Sequence, residues 1–241
     1  MSQPAYLLAF TEPGAGVTTD EFNDWYNNEH VPLRIAVPSF QSWTRWKAID
    51  DKKPTWLATY DLTSYQGFLQ PPYSTLTDTR SEREKRILHD VETVERRTYE
   101  AYEGNDKFPA PAKGKEAKIL EIVSIDCKPG SEEEFQRWYD EDHVPAISTR
   151  PGWVRSRRFR LKEWSRGGVE GSKDQTPVPK WLAVHEYTDL EWQKDPESRK
   201  RVENEWTLRV RAEIMIRREI RFVAVHKKWQ RNENSVSGAR L

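Results

Sequence analysis

Short apolar runs alternate with charge-rich amphipathic stretches along this chain, and the order in which they come repeats once. Residues 5–11 and 117–126 are aliphatic runs of strand length. An acidic stretch follows each, opened by Thr18-x-x-Glu21 in one place and Ser131-x-x-Glu134 in the other. These are capping-box spacings, in which a hydroxyl and a carboxylate satisfy the first free N–H groups of a helix. Pro32 and Pro145 are expected to stop those helices just after His30 and His143. Residues 40–49 and 152–161, rich in Trp, Phe and Val, predict strands, as do 55–62 and 180–187. Charged runs at about 78–93 and 195–214 read as helices with solvated outer faces, and they lead into final strands at about 94–102 and 217–228.

The repetition extends to individual residues. Glu21, Phe22, Trp25, Tyr26, His30, Val31 and Pro32 align with Glu134, Phe135, Trp138, Tyr139, His143, Val144 and Pro145 at an offset of 113. The same offset carries Arg45 onto Arg158, whereas Trp56-Leu57-Ala58 meets Trp181-Leu182-Ala183 at 125. The second copy therefore holds 12 extra residues, which fall in the Gly/Ser/Lys-rich stretch 163–178. Each copy has the order β-α-β-β-α-β, that of the ferredoxin-like unit. One such sheet covers a single face with its helices and needs a partner for the other, which a tandem copy supplies. The expected fold is thus α+β: two tandem ferredoxin-like repeats, 1–104 and 117–230, pairing their sheets into an intramolecular barrel. A Pro/Gly/Lys linker at 105–116 joins them, and a polar tail at 231–241 reads as mobile.

Composition narrows the class of function. The 241 residues carry 39 Lys+Arg against 39 Asp+Glu, so no net charge draws the chain to nucleic acid. The third strand also lacks the aromatic signature of RNA-recognition motifs, which share the element order. Aromatic residues make up 12%, enough for a packed fold. No apolar run spans a bilayer and the N-terminus has no signal-peptide pattern, so the chain reads as a cytoplasmic protein without membrane partners. A single cysteine, Cys127, excludes a disulfide framework, and the five histidines are scattered without metal-ligand spacing.

Tyr26-x-x-x-His30-Val31-Pro32 and Tyr139-x-x-x-His143-Val144-Pro145, each closing the first helix of its unit, resemble the EthD-like branch of the dimeric α/β barrel superfamily. The resemblance covers nearly the whole chain. It implies a barrel made from two sheets, usually of two subunits and here of one chain, with further homodimerisation left open. It also implies a small aromatic or polyketide-type substrate, no cofactor, and cyclisation, dehydration, decarboxylation or isomerisation by proton transfer. In that chemistry His30 or His143 is the base and Tyr26 or Tyr139 steadies an oxyanion. A helix C-terminus would raise the imidazole pKa while burial would lower it, leaving a ring that titrates near neutrality. Arg45 and Arg158, on equivalent strands, can hold an acidic substituent bidentately or pair with neighbouring helix acids.

The copies also differ. Tyr60 becomes His185 and Leu8 becomes Glu121, so if Glu121 faces the barrel interior the second half sets a carboxylate and two histidines around one volume. The other reading has Glu121 at a sheet edge, paired with an Arg. Glu29 and Asp142, beside the histidines, are expected in solvent. Trp43 and Trp46 are candidates for a ligand pocket or for core. Two further readings stand beside catalysis: a non-catalytic binding or structural barrel in which both histidines only close helices, and haem binding or cofactor-free oxygenation as in other branches of the superfamily.

Overall fold

A computed structural model describes residues 3–103 and 115–231. Most of the expected linker, and all but the first residue of the expected tail, lie outside the described residues. The described residues form eight strands: β1 (Ala5–Glu12), β2 (Trp43–Ala48), β3 (Trp56–Leu62), β4 (Thr93–Ala101), β5 (Ile119–Cys127), β6 (Trp153–Gly167), β7 (Trp181–Tyr187) and β8 (Met215–Trp229). They close into one antiparallel barrel in the order β1-β3-β2-β8-β5-β7-β6-β4. Four neighbours come from each half of the chain. The halves are stitched where β2 meets β8 and where β4 meets β6. Both stitching strands of the second half are 15 residues long, against six for β2. Residues from the Gly/Ser/Lys-rich stretch 163–178 lengthen β6 so that it runs on beside β4 as far as Gly167.

Alternation along the strands separates two kinds of core. Tyr6, Leu8 and Phe10 of β1, Trp46 of β2 and Leu120 and Ile122 of β5 turn inward and fill the barrel with Tyr99, Phe159 and Leu182. Tyr6 stacks on Phe159 with ring centroids 4.8 Å apart, and the Trp46 indole donates to Thr59 at 2.9 Å. Ion pairs shared between the halves stand at both ends of this packed interior: Arg157 with Asp61 and Glu186 at one, Arg97 and Arg166 with Glu95 at the other. The alternate residues face outward under helices. Glu121 is among them, since its neighbours Leu120 and Ile122 point in; the carboxylate lies on the helix side of the sheet.

The helices of the first half are α1 (Thr19–Trp25), α2 (Val31–Ile35), α3 (Gln66–Leu69) and α4 (Glu82–Asp90). Those of the second are α5 (Glu132–Trp138), α6 (Val144–Ser148), α7 (Pro196–Val202) and α8 (Glu205–Arg209). Thr18 caps α1, its hydroxyl accepting from the Glu21 N–H at 3.2 Å. Ser131 does not cap α5, because its hydroxyl donates to the Lys128 carbonyl at 2.6 Å instead.

The prolines do not stop the helices. Between α1 and α2 the chain widens into a π turn over Tyr26–His30, the Val31 N–H bonding Tyr26 O, and Tyr139–His143 repeats this ahead of α6. Pro32 and Pro145 then fall in the first turn of a new helical segment, where a missing N–H costs little. His30 and His143 consequently sit inside a continuing helix, not at its C-terminus. Among the described residues no helix is long and apolar enough to cross a membrane.

Candidate functional site

A cavity of about 380 Å³ opens in the first half between the outer face of the sheet and the helices. Leu7 and Ala9 of β1, Tyr60 of β3 and Arg96 of β4 form its floor. Trp25, Tyr26 and His30 of the first helix wall one side, and Phe68, Tyr73 and Arg80, from the turn-rich segment before α4, cover it. The lengthened β6 adds Glu163 at the rim, whose carboxylate accepts from the Tyr65 hydroxyl at 3.0 Å.

The π turn sets His30 against this space, and α4 supplies its partner. Ser81 caps α4 by accepting from the Glu84 N–H at 3.0 Å, and its hydroxyl donates to Glu29, which ties the helix start to the π turn. Glu84 thus lies in the first helical turn, where the helix dipole favours a carboxylate, with Arg34 at 4.0 Å. Its Oε1 is 2.7 Å from Nδ1 of His30. Burial, and after it the charges of Arg34, Arg96, Arg80 and Arg45, hold the His30 imidazole well below its usual range. The ring is therefore neutral at pH 7, with Nδ1–H donated to Glu84 and the Nε2 lone pair left for a ligand. Beside it the hydroxyls of Tyr26 and Tyr60 are 3.2 Å apart. Burial raises both phenol pKa values, so the pair stays protonated and able to donate.

The other residues singled out in the sequence stand elsewhere. Arg45 is buried beneath the first helix, its guanidinium 4.5 Å from the Tyr26 ring centre and 4.7 Å from that of Trp56, with Asn27 accepting at 3.0 Å. It backs the Tyr26 ring and does not line the cavity. Arg158 is engaged by Asp140 and by the Gln136 side chain at 2.7 Å. Trp46 lies inside the barrel, and Trp43 packs in the outer core of the first half, beneath the Arg231 guanidinium. Glu29 and Asp142 are not simply solvated; Asp142 accepts from Asn204 at 2.5 Å and Thr207 at 3.2 Å, fastening the start of α8.

In the second half, Tyr139, His143, His185 and Glu121 do gather, but between sheet and helices and in close packing. Glu121 accepts from the Tyr187 hydroxyl at 3.2 Å and faces Arg150 at 3.4 Å; burial nonetheless raises its pKa. His185 Nδ1 is 2.8 Å from the Ser156 hydroxyl, and the His143 ring stacks on Trp138 at 4.2 Å. Thr207 occupies in α8, three residues after its N-cap Asn204, the place that Glu84 holds in α4. His143 Nδ1 has no hydrogen-bond partner among the described residues. The opening beside Tyr139 and Trp181 is only about 10 Å³.

Glu84, Arg34, Arg80, Arg96 and Tyr73 were not singled out by the sequence. Ser81-x-x-Glu84 does have capping-box spacing, which signals a helix start and nothing about His30. The charged stretch of α4 was expected in solvent, yet Glu84 and Ile87 are buried on its inner face.

Fold and site together define the class: a closed eight-stranded antiparallel α+β barrel, consistent with the dimeric α/β barrel, with a ligand-sized cavity outside the sheet. Solved structures of the same fold include an anthrone oxidase-like protein, 12% identical with a TM-score of 0.56 over 97% of this chain and 95% of that one. A protein from Lactobacillus acidophilus assigned as a monooxygenase is 6% identical, with a TM-score of 0.56 over 96% and 98%. Another so assigned, from Fusobacterium nucleatum subsp. nucleatum, is 10% identical, with a TM-score of 0.56 over 96% of each chain. At these identities the likeness is one of fold. No protein-family model and no curated protein matches the sequence.

Proposed function

We propose that this chain is an enzyme that moves a proton on a small aromatic or polyketide-type substrate, using protein groups alone as acid and base. The observation that carries this reading is the His30–Glu84 contact of 2.7 Å beside the 380 Å³ cavity. His30 Nε2 takes a proton from carbon next to a substrate carbonyl, the C–H electron pair forms a C=C bond as the carbonyl π pair moves onto oxygen, and the Tyr26–Tyr60 pair donates a hydrogen bond to the enolate formed. Glu84 holds the ring in the required tautomer and pairs with the imidazolium as it forms, an orienting role. Return of the proton to another carbon gives isomerisation; attack of the enolate on a second carbonyl gives cyclisation, and loss of water then completes a dehydration. Among the described residues the first half alone combines base, orienting acid and space, so the base in this reading is His30 and not His143.

We also read the chain as two ferredoxin-like units, 1–104 and 117–230. The strand orders β4-β1-β3-β2 and β8-β5-β7-β6 and the paired π turns support this.

Deuterium exchange at the carbon next to the carbonyl, followed by NMR over a panel of aryl ketones and aryl β-keto esters, tests the function. Wild type and His143→Ala are expected to exchange alike. His30→Ala is expected to lose about 10²–10⁴-fold, the usual weight of a general base, and Glu84→Gln a smaller factor. Exchange that survives His30→Ala in a folded protein removes the mechanism.

A further inference from the structure

Three guanidiniums reach the first-half cavity, and they are not equally engaged. Arg34 donates to the His30 carbonyl at 2.7 Å and stands 4.0 Å from Glu84, so its charge is answered. Arg96 donates to the Tyr73 hydroxyl at 2.8 Å, and its guanidinium lies over the Tyr73 ring at 6.0 Å. A phenol accepts a hydrogen bond but returns no charge, and no acid of the described residues pairs with Arg96. Arg80 lines the cavity with neither hydrogen bond nor ion pair to any described residue. The one acid in the wall, Glu163, is exposed at the rim and accepts from Tyr65. The remaining wall is largely apolar: the aromatic Trp25, Tyr26, Tyr60, Phe68 and Tyr73 stand among aliphatic side chains, with a few hydroxyls between them.

Building on the reading above, we infer that the ligand of this cavity is an aromatic carboxylate, its ring among those aromatic side chains and its anion drawn in by Arg80 and Arg96. The planar guanidinium fork matches a carboxylate bidentately, and two half-buried cations without acids favour an anion over a neutral isostere. The inference also bears on the base. A bound carboxylate offsets the positive field that depresses His30, so the imidazole becomes more basic when the ligand arrives.

The test is calorimetric binding of 2-naphthoate against 2-naphthamide, which share a ring system and differ in charge, at low ionic strength. Naphthoate is expected to bind about tenfold tighter or better, the scale of one added charge-assisted hydrogen bond. Arg80→Gln/Arg96→Gln is expected to erase the preference, and Arg80→Lys/Arg96→Lys to keep part of it. Equal affinity, binding of neither probe, or a preference that persists in the folded glutamine variant overturns the inference; the wild-type comparison decides even where a variant does not fold. His30→Ala separates this from the catalytic reading. A naphthoate preference in a protein whose exchange survives His30→Ala sinks the mechanism and leaves the anion site, whereas exchange that depends on His30 without that preference does the reverse.

Discussion

His30 and His143 share a Tyr-x-x-x-His-Val-Pro sequence and a π turn, yet their surroundings diverge at single residues. Glu84 against Thr207 decides whether the ring has a carboxylate to donate to, and Tyr60 against His185 decides whether a phenol or a second imidazole lies beside it. His143 and His185 are buried and His30 is half-buried, and desolvation comes first in pushing all three pKa values down, that of His185 to about 3. The sign of the stability effect follows. A histidine whose folded pKa lies below its unfolded value of about 6.5 stabilises the fold fully above that pH, and the contribution is lost as pH falls toward the folded pKa. Thermal unfolding from pH 7 down to pH 4 should therefore show a falling Tm. His185→Gln, which keeps hydrogen-bonding capacity and cannot titrate, should fall less over that window. An equal decline would remove His185 from the acid sensitivity.

The two capping boxes look alike in sequence and act differently as elements. Thr18 accepts the Glu21 N–H, while Ser131 turns its hydroxyl back to Lys128. Thr18→Ala should cost about 1 kcal/mol of stability, the usual weight of an N-cap, and Ser131→Ala measurably less. Denaturant unfolding of the two variants checks this, and equal losses would mean that the difference between the caps carries no energy. The π turns belong to this scale too. Widening the helix by one residue lets it continue past proline, which moves the histidine from an expected C-terminus to mid-helix. Without the favourable end of the dipole, burial dominates its titration, so a ring expected to titrate near neutrality is held neutral well below it.

At the scale of the whole molecule, β4–β6 and β2–β8 pairing and the ion pairs at the barrel ends bind the halves together. Arg157 of the second half lies 3.1 Å from Glu186 of its own half and pairs with Asp61 of the first. Burial lowers its pKa, but the two acids outweigh this and raise it overall. Arg157→Ala leaves Asp61 without that cation while Glu186 keeps Arg155 at 2.9 Å, and should cost about 1.5–3 kcal/mol, read as a drop in denaturant midpoint. A change of less than about 1 kcal/mol would place the pair with ordinary surface salt bridges.

Much of the fold was legible in the sequence because its determinants are local. Strand-length apolar runs, capping spacings and the 113-residue offset give the element order, and that order leaves a sheet face needing cover, hence a barrel. Tyr26, His30 and Tyr60 could be singled out because each stands at a repeated or diverged place in that order. What only the tertiary structure decided depends on contacts between residues far apart in the chain. His30 and Glu84 stand 54 positions apart in the chain, and no periodicity pairs them. The side of the sheet taken by Glu121 turns on strand register, where a shift of one residue exchanges barrel interior for helix layer. Which half keeps an open cavity is set by how α4 and the segment before it lie over the sheet, and by the extra residues of β6 reaching across from the other half.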